Sequence, residues 1–209
     1  MDWYHVAFVY GVEKFPNLVD GQASNLASIL QIRYAWSSSD PVCIIREHAF
    51  GLWPGSSFTV TITTALVVLY GTALAACSAG AAHLFKHKHP RFLIAITTPW
   101  LLFFALMPRM HERYLLWAAG VGAVVVGTSL EAVLLVALVG AMSWLMTLHG
   151  MLAEQNPTFI GTSLDSNFGE RFYHFIQGTY PDTGWVVLLC AAIFLYQSVK
   201  PVGRHWCVT

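Results

Sequence analysis

Between Phe58 and Phe85 the chain carries no Asp, Glu, Lys or Arg, and this run constrains the fold more than any other feature. An uncharged apolar stretch of about 18 residues or more is long enough to cross a bilayer as a helix. Four further runs share that character: Phe92 to Met107, Leu115 to Gly127, Ala132 to Met151 and Gly184 to Val199. Charged residues make up 11% of the chain, against about 25% in a soluble domain. Those that remain gather in short clusters between the runs. The expectation is an all-α, polytopic transmembrane helical bundle of about five spans over residues 57–209, with a polar outer loop at about 152–182.

Residues 1–56 read differently. Their two apolar patches, Trp3 to Val12 and Leu26 to Trp36, are too short to span a bilayer at 1.5 Å per residue. Trp3, Tyr4, Tyr10, Tyr34, Trp36 and Trp53 suit a belt at headgroup level. An interfacial or re-entrant region on one membrane face is expected, with a small soluble subdomain as the alternative.

Within the runs, Gly71 with Ala75 and Ala76 with Gly80 are small-residue pairs one helical turn apart, which let helices approach closely. Pro99 interrupts the second run and is a candidate kink. The third run is short for a crossing of about 30 Å, which requires a local thinning of the bilayer or an upright helix. Residues 115–151 read either as one long bent helix or as two helices joined by a turn at Gly127-Thr128-Ser129-Leu130-Glu131, and the turn is adopted because it brings the two basic segments to one side. With that turn, four crossings separate the basic loop Lys86–Arg91 from the tail Lys200–Arg204, so both lie on one side, taken as cytoplasmic. His111-Glu112-Arg113, the 152–182 loop and residues 1–56 then share the outer face.

The net charge is zero and the only basic cluster lies between two spans, so no nucleic-acid partner is expected. Cys43, Cys77, Cys190 and Cys207 form no CxxC pair and fall on different sides or within spans, against a disulfide framework or zinc site. Met1-Asp2-Trp3-Tyr4 lacks the positive start of a signal peptide.

Met110-His111-Glu112-Arg113-Tyr114-Leu115 carries the chemistry. Three ionisable side chains stand where a helix enters lipid, a costly position unless they are paired, solvated or functional. On a helix His111 and Tyr114 share one face, Glu112 and Leu115 another, and Arg113 a third. Free amides at a helix N-terminus favour an anion, and a guanidinium fork suits phosphate oxygens. The same residues also read as a plain charge cluster anchoring the helix.

Those six residues resemble the M-H-E-R-Y-L motif of bacterial polytopic glycosyltransferases of the GT-C class, which use polyprenyl-phosphate sugars. Phe15-Pro16-Asn17-Leu18 and Ala23-Ser24-Asn25-Leu26 resemble a second family segment, with Gln22 and Ala27 replacing its first Asn and its Trp. The resemblance implies transfer of a sugar from a polyprenyl-phosphate donor on the non-cytoplasmic face of the bacterial inner membrane. His111 and Arg113 would contact the donor phosphate, oriented by Glu112. Some relatives use a divalent cation, so the resemblance leaves one open. The family's catalytic Asp lies in a loop after a first span. Nothing maps Asp2, Asp20 or Asp40 onto it, so this chain resembles a C-terminal portion, with little activity expected alone. The alternative is a non-catalytic remnant, or a helper packed against another membrane subunit. A transporter is weakened by the scarcity of polar residues in the spans. His87 and His89 read as loop residues, His149 as a polar helix end and Glu131 as an exposed turn residue. Asp165, Glu170, Arg171, Tyr173 and His174 lie in the outer loop, a connector or an acceptor cover.

Overall fold

A computed structural model describes residues 17–19, 23–46, 57–154 and 166–201. The patch Trp3–Val12, Asp2, Asp20, Trp53, Cys207 and the tail beyond Pro201 lie outside the described residues. Seven α-helices and one two-stranded hairpin account for most of what is described.

Helix α1 (Leu26–Tyr34) begins where Asn25 closes a capping box. Its side-chain oxygen accepts from the Ser28 amide at 3.0 Å, while its own amide donates to the Ser28 hydroxyl at 2.8 Å. It ends at Ala35 in the left-handed region (φ 55°). Strands β1 (Pro41–Arg46) and β2 (Ser57–Thr61) pair antiparallel, with a bulge between Pro41 and Cys43. This hairpin departs from the all-helical expectation in one small element. It also delays the first long helix, which starts at Ile62 rather than Phe58.

The five expected runs are helical. They are α2 (Ile62–Lys86), α3 (Phe92–Leu106), α4 (Arg113–Gly122, continued by a 3-10 turn at Ala123–Val125), α5 (Leu130–Glu154) and α7 (Thr183–Val199). The chain reverses between α4 and α5 as the turn at Gly127–Glu131 requires. Thr128 N–H donates to Val125 O at 2.9 Å, the Ser129 hydroxyl accepts from Ala132 N–H at 3.1 Å, and Gly122 lies against Val136. The 152–182 segment is not loop throughout, because it holds α6 (Ser166–Thr179).

Among the described residues two helices, α2 and the stretch Leu130–Met151 of α5, are long and apolar enough to cross a membrane. A third arises if the end of α6 and α7, which meet at 57°, are taken as one bent segment. Large apolar side chains stay exposed on the outside of the bundle: Val68, Leu134, Trp144 and Leu189 among them. In water such a surface is a liability, whereas lipid solvates it. The interior gathers around α3, whose Thr98, Leu101, Phe104 and Ala105 are buried. α3 runs through Pro99 as one helix, with the Thr98 hydroxyl donating to Ile94 O at 2.7 Å.

One small-residue pair is used inside the fold. A Cβ on Gly80 would lie 2.2 Å from Ser198 O, so α2 and α7 meet backbone to backbone there. The Ser198 and Thr98 hydroxyls, 3.0 Å apart, join α7 to α3 beside that contact. Gly71 has open space around it.

The helices α2, α3, α4, α5 and α7 define two ends. At one end Arg91 donates to Gln197 O and Pro201 O, and Gln197 donates to the Glu131 carboxylate, so the α2–α3 loop, the α4–α5 turn and the end of α7 converge. At the other, α1, residues 17–19, the 107–112 loop, the end of α5 and the start of α7 meet.

Candidate functional site

The second end holds the motif. α3 stops at Leu106, and its last carbonyls have no helical partner. The Asn25 side-chain amide supplies one, donating to Phe104 O and Met107 O at 3.0 Å each. With its oxygen already accepting from Ser28, the buried Asn25 side chain makes three hydrogen bonds. The next residues are tied to the same N-terminal segment: Arg109 N–H donates to Leu18 O at 2.8 Å and its Nε to Asn17 O at 3.3 Å. Arg109 adopts φ 58°, which turns the chain toward α4. Leu18 and Val19 amides in turn donate to the Gln31 side chain on α1 at 2.6 and 2.9 Å. Asn17, Leu18 and Asn25 therefore hold Phe104, Met107 and Arg109, the residues that lead into the motif.

His111 and Glu112 precede α4, and their carbonyls accept from Tyr114 and Leu115 amides at 3.1 and 3.2 Å. Two of the three motif side chains lie beside one ring. The His111 ring lies 6.2 Å from the Tyr114 ring, and the exposed Arg113 guanidinium lies 5.8 Å from that same ring. Tyr114 stacks edge-on with Trp117 at 5.5 Å. His111 and Arg113 thus border one aromatic surface at the head of α4. Glu112 turns the other way, where a Cβ on Gly150 would lie 3.2 Å from its carboxylate carbon and from Oε1.

Behind Glu112 stands a group that sequence reasoning passed over. His149, read as a polar helix end, is 4% exposed. Its ring lies 5.3 Å from Tyr180 and 6.4 Å from Tyr173, and Tyr173 lies 5.9 Å from His174. Tyr180 occupies the turn between α6 and α7, outside both helices. Burial pushes its phenol up to about 12, and the Glu112 charge adds to the shift. The repeat of aromatic and His residues through Tyr173, His174 and Tyr180 was the available signal.

The floor of this end is pinned across the chain. Arg33 on α1 holds Asp182 through both carboxylate oxygens, with Nε–Oδ1 at 3.0 Å. Cβ atoms on Gly184 would lie 3.0 Å from Ile29 Cδ1 and 3.1 Å from Asn25 N, so α7 starts directly against α1. The Asp40 carboxylate accepts from the Ser37 amide at 2.7 Å and its hydroxyl at 2.9 Å, which makes it a turn residue. Among the described residues, no three His, Cys, Asp or Glu side chains group to hold a metal.

Chemically, this end offers a guanidinium and an imidazole beside the half-buried Tyr114 and the exposed Trp117, at the N-terminus of a helix, with a carboxylate seated behind them. That set suits an anionic group carried on an apolar molecule. Searches against protein-family models, curated proteins and solved structures find no match to this chain.

Proposed function

We propose that this end of the bundle receives the phosphate of a polyprenyl-phosphate sugar, and that the chain forms the donor side of a GT-C-class glycosyltransferase in the bacterial inner membrane. The observation that carries the reading is the contact between Asn25 and the α3 carbonyls that precede the motif. It sets Asn25, from one of the two stretches that carry the resemblance, against the residues that lead into the other, 82 positions away in sequence at Met107.

In this reading α2, α3, α4, α5 and α7 are the five spans. The 15 residues of α3 measure about 22 Å, less than the hydrocarbon core. The motif loop is accordingly recessed beside Gly150, about one turn below the end of α5 at Glu154. A recessed loop meets a phosphate at the depth where a lipid carries it. In this reading Lys86, Lys88, Arg91 and Lys200, gathered in one loop and one helix end opposite the motif, mark the cytoplasmic side.

The acceptor hydroxyl attacks the sugar's anomeric carbon as its bond to the phosphate oxygen breaks. The hydroxyl proton passes to a carboxylate base, and the polyprenyl phosphate leaves with its added negative charge. Arg113 and His111 stabilise that charge. Glu112, held against Gly150, fixes the turn that aims them. The base is not assigned to any residue of this chain, and no step requires a metal from it.

The test is equilibrium binding of radiolabelled polyprenyl phosphate to the full chain in phosphatidylcholine nanodiscs. Arg113→Ala and His111→Ala should each weaken binding about tenfold, the loss of one charge-assisted hydrogen bond. Equal binding by wild type and the double variant would remove the reading.

The helper reading draws on one observation. The face of α2 around Gly71, with Val67, Val68 and Leu74, is exposed among the described residues. Co-purification with a second polytopic chain, lost on Gly71→Leu, would favour it.

A further inference from the structure

The opposite end of the bundle contains a cavity of about 450 Å³ that the motif does not reach. It opens where the α2–α3 loop, the α4–α5 turn and the end of α7 converge. Its inner wall is apolar, formed by Ile94, Ala132, Leu135 and Phe194. Its rim is polar and carries Arg91, Lys200 and Glu131, with the Thr128 and Ser129 hydroxyls between them.

Charge at the rim is two cations against one carboxylate. The Glu131 carboxylate already accepts from the Gln197 side chain at 3.0 Å through both oxygens, which draws it to one side. Arg91 is fixed: it donates to Gln197 O and Pro201 O, each at 3.3 Å. These are long hydrogen bonds, and a guanidinium has five N–H donors. Lys200 is exposed, with Nζ 5.6 Å from the Tyr196 ring, and its flexible stem lets the ammonium swing over the rim. The α4–α5 turn adds the N-terminus of a 25-residue helix, α5, on the same side.

We propose that this cavity holds an anionic phospholipid, its phosphate at Arg91 and Lys200 and the start of its acyl chain against Phe194 and Leu135. The shared chemistry is a phosphate oxyanion. The apolar wall selects a lipid over free phosphate, because an inorganic ion leaves that wall unfilled. Basic pockets between membrane helices on the cytoplasmic side take such headgroups. The site is distinct from the motif, and its occupant clamps three segments of the bundle: the α2–α3 loop, the α4–α5 turn and the end of α7.

The test uses the full chain in a neutral detergent, with retained lipid counted by native mass spectrometry as phosphatidylglycerol, phosphatidylcholine or inorganic phosphate is added. Phosphatidylglycerol should be retained in preference to phosphatidylcholine and should raise the thermal midpoint. Lys200→Gln should weaken retention about fivefold, the share of one basic residue near a lipid headgroup. Glu131→Gln, which keeps a polar partner for Gln197 and removes the opposing charge, should strengthen it by a similar factor. Arg91→Gln removes the α7 cap and can unfold the chain, so the two exposed positions carry the result. Equal retention of the two lipids, no opposite response of the Lys200 and Glu131 variants, or equal stabilisation by inorganic phosphate would each overturn the proposal.

Discussion

The carboxylate of Glu112 rests against the backbone of Gly150, so close that a methyl group on that glycine would lie 3.2 Å from both the carboxylate carbon and Oε1. Residues 38 positions apart thus set the depth at which the motif meets α5 (150 minus 112). Gly150→Ala should be close to neutral in stability. The gain in helix propensity, about 1 kcal/mol, offsets the small shift of a flexible carboxylate. The thermal midpoint should stay within roughly 4 °C of wild type. Gly150→Leu should push Glu112 out and weaken donor-phosphate binding severalfold while the chain still folds. Unchanged binding in that variant would show that the Glu112 position does not matter.

Asn25 is predicted to be the least replaceable polar residue at this end. Its amide meets the Phe104 carbonyl of α3 and the Met107 carbonyl just past it, and its oxygen caps α1. Asn25→Asp keeps the cap but sets a carboxylate against two carbonyl oxygens, and Asn25→Ala loses both functions. Each should cost about 3 kcal/mol or more, from a lost cap and two orphaned acceptors. Thermal unfolding in detergent checks this, and a loss below about 1 kcal/mol would mean the amide is not bonded as described.

The two glycines of α2 should behave oppositely. Gly80→Ala places a methyl group 2.2 Å from Ser198 O and forces α2 from α7, at a cost of about 1–3 kcal/mol. Gly71→Ala meets nothing within 4 Å and should stabilise slightly through helix propensity. Equal effects of the two substitutions would contradict the close approach of α2 and α7.

A pH response is expected at the Arg33–Asp182 pair. The hydrogen bond from Arg33, with its charge, holds the Asp182 carboxyl below the usual carboxylate range. A group whose folded value is depressed contributes stability that is present above its unfolded value and lost as pH falls through the folded one. The contribution is therefore constant from pH 5 to 8 and fades below about pH 4. Both side chains are about half exposed, so the effect on global stability is small. Hydrogen exchange of the α1 amides reads it locally: acid should speed exchange in wild type, and Arg33→Gln should show the faster exchange at neutral pH with no acid step. The same acid step in both proteins would exclude this pair as its source.

How far the fold could be read in advance depended on the range of the interactions. Uncharged runs predicted α2, α3, α4, α5 and α7 to within a few residues, because a span is set by local composition. The turn before Leu130 is preferred to one long bent helix because it brings Lys86–Arg91 and Lys200 to one end, and the chain does reverse there. The hairpin was missed although Val42 and Ile44, and Phe58 and Val60, alternate with period two. The helix α6 was hidden in a polar loop, although Phe168, Phe172 and Ile176 recur at helical spacing. The links from Asn25 to Phe104, Glu112 to Gly150 and Arg33 to Asp182 have no local signature. They arise only when distant elements pack. His149 was misjudged for the same reason: α6 and the turn at Tyr180 bury it, and neither is its neighbour in sequence.

The most direct measurement is photo-crosslinking of a polyprenyl phosphate bearing a diazirine near its phosphate, with the full chain in phosphatidylcholine nanodiscs and the adduct mapped by peptide mass spectrometry. Adducts are expected at Tyr114 and Trp117, at the head of α4, and should fall sharply in Arg113→Ala. No adduct at either residue, or labelling of them unchanged by Arg113→Ala, would contradict the assignment of the donor phosphate to this end.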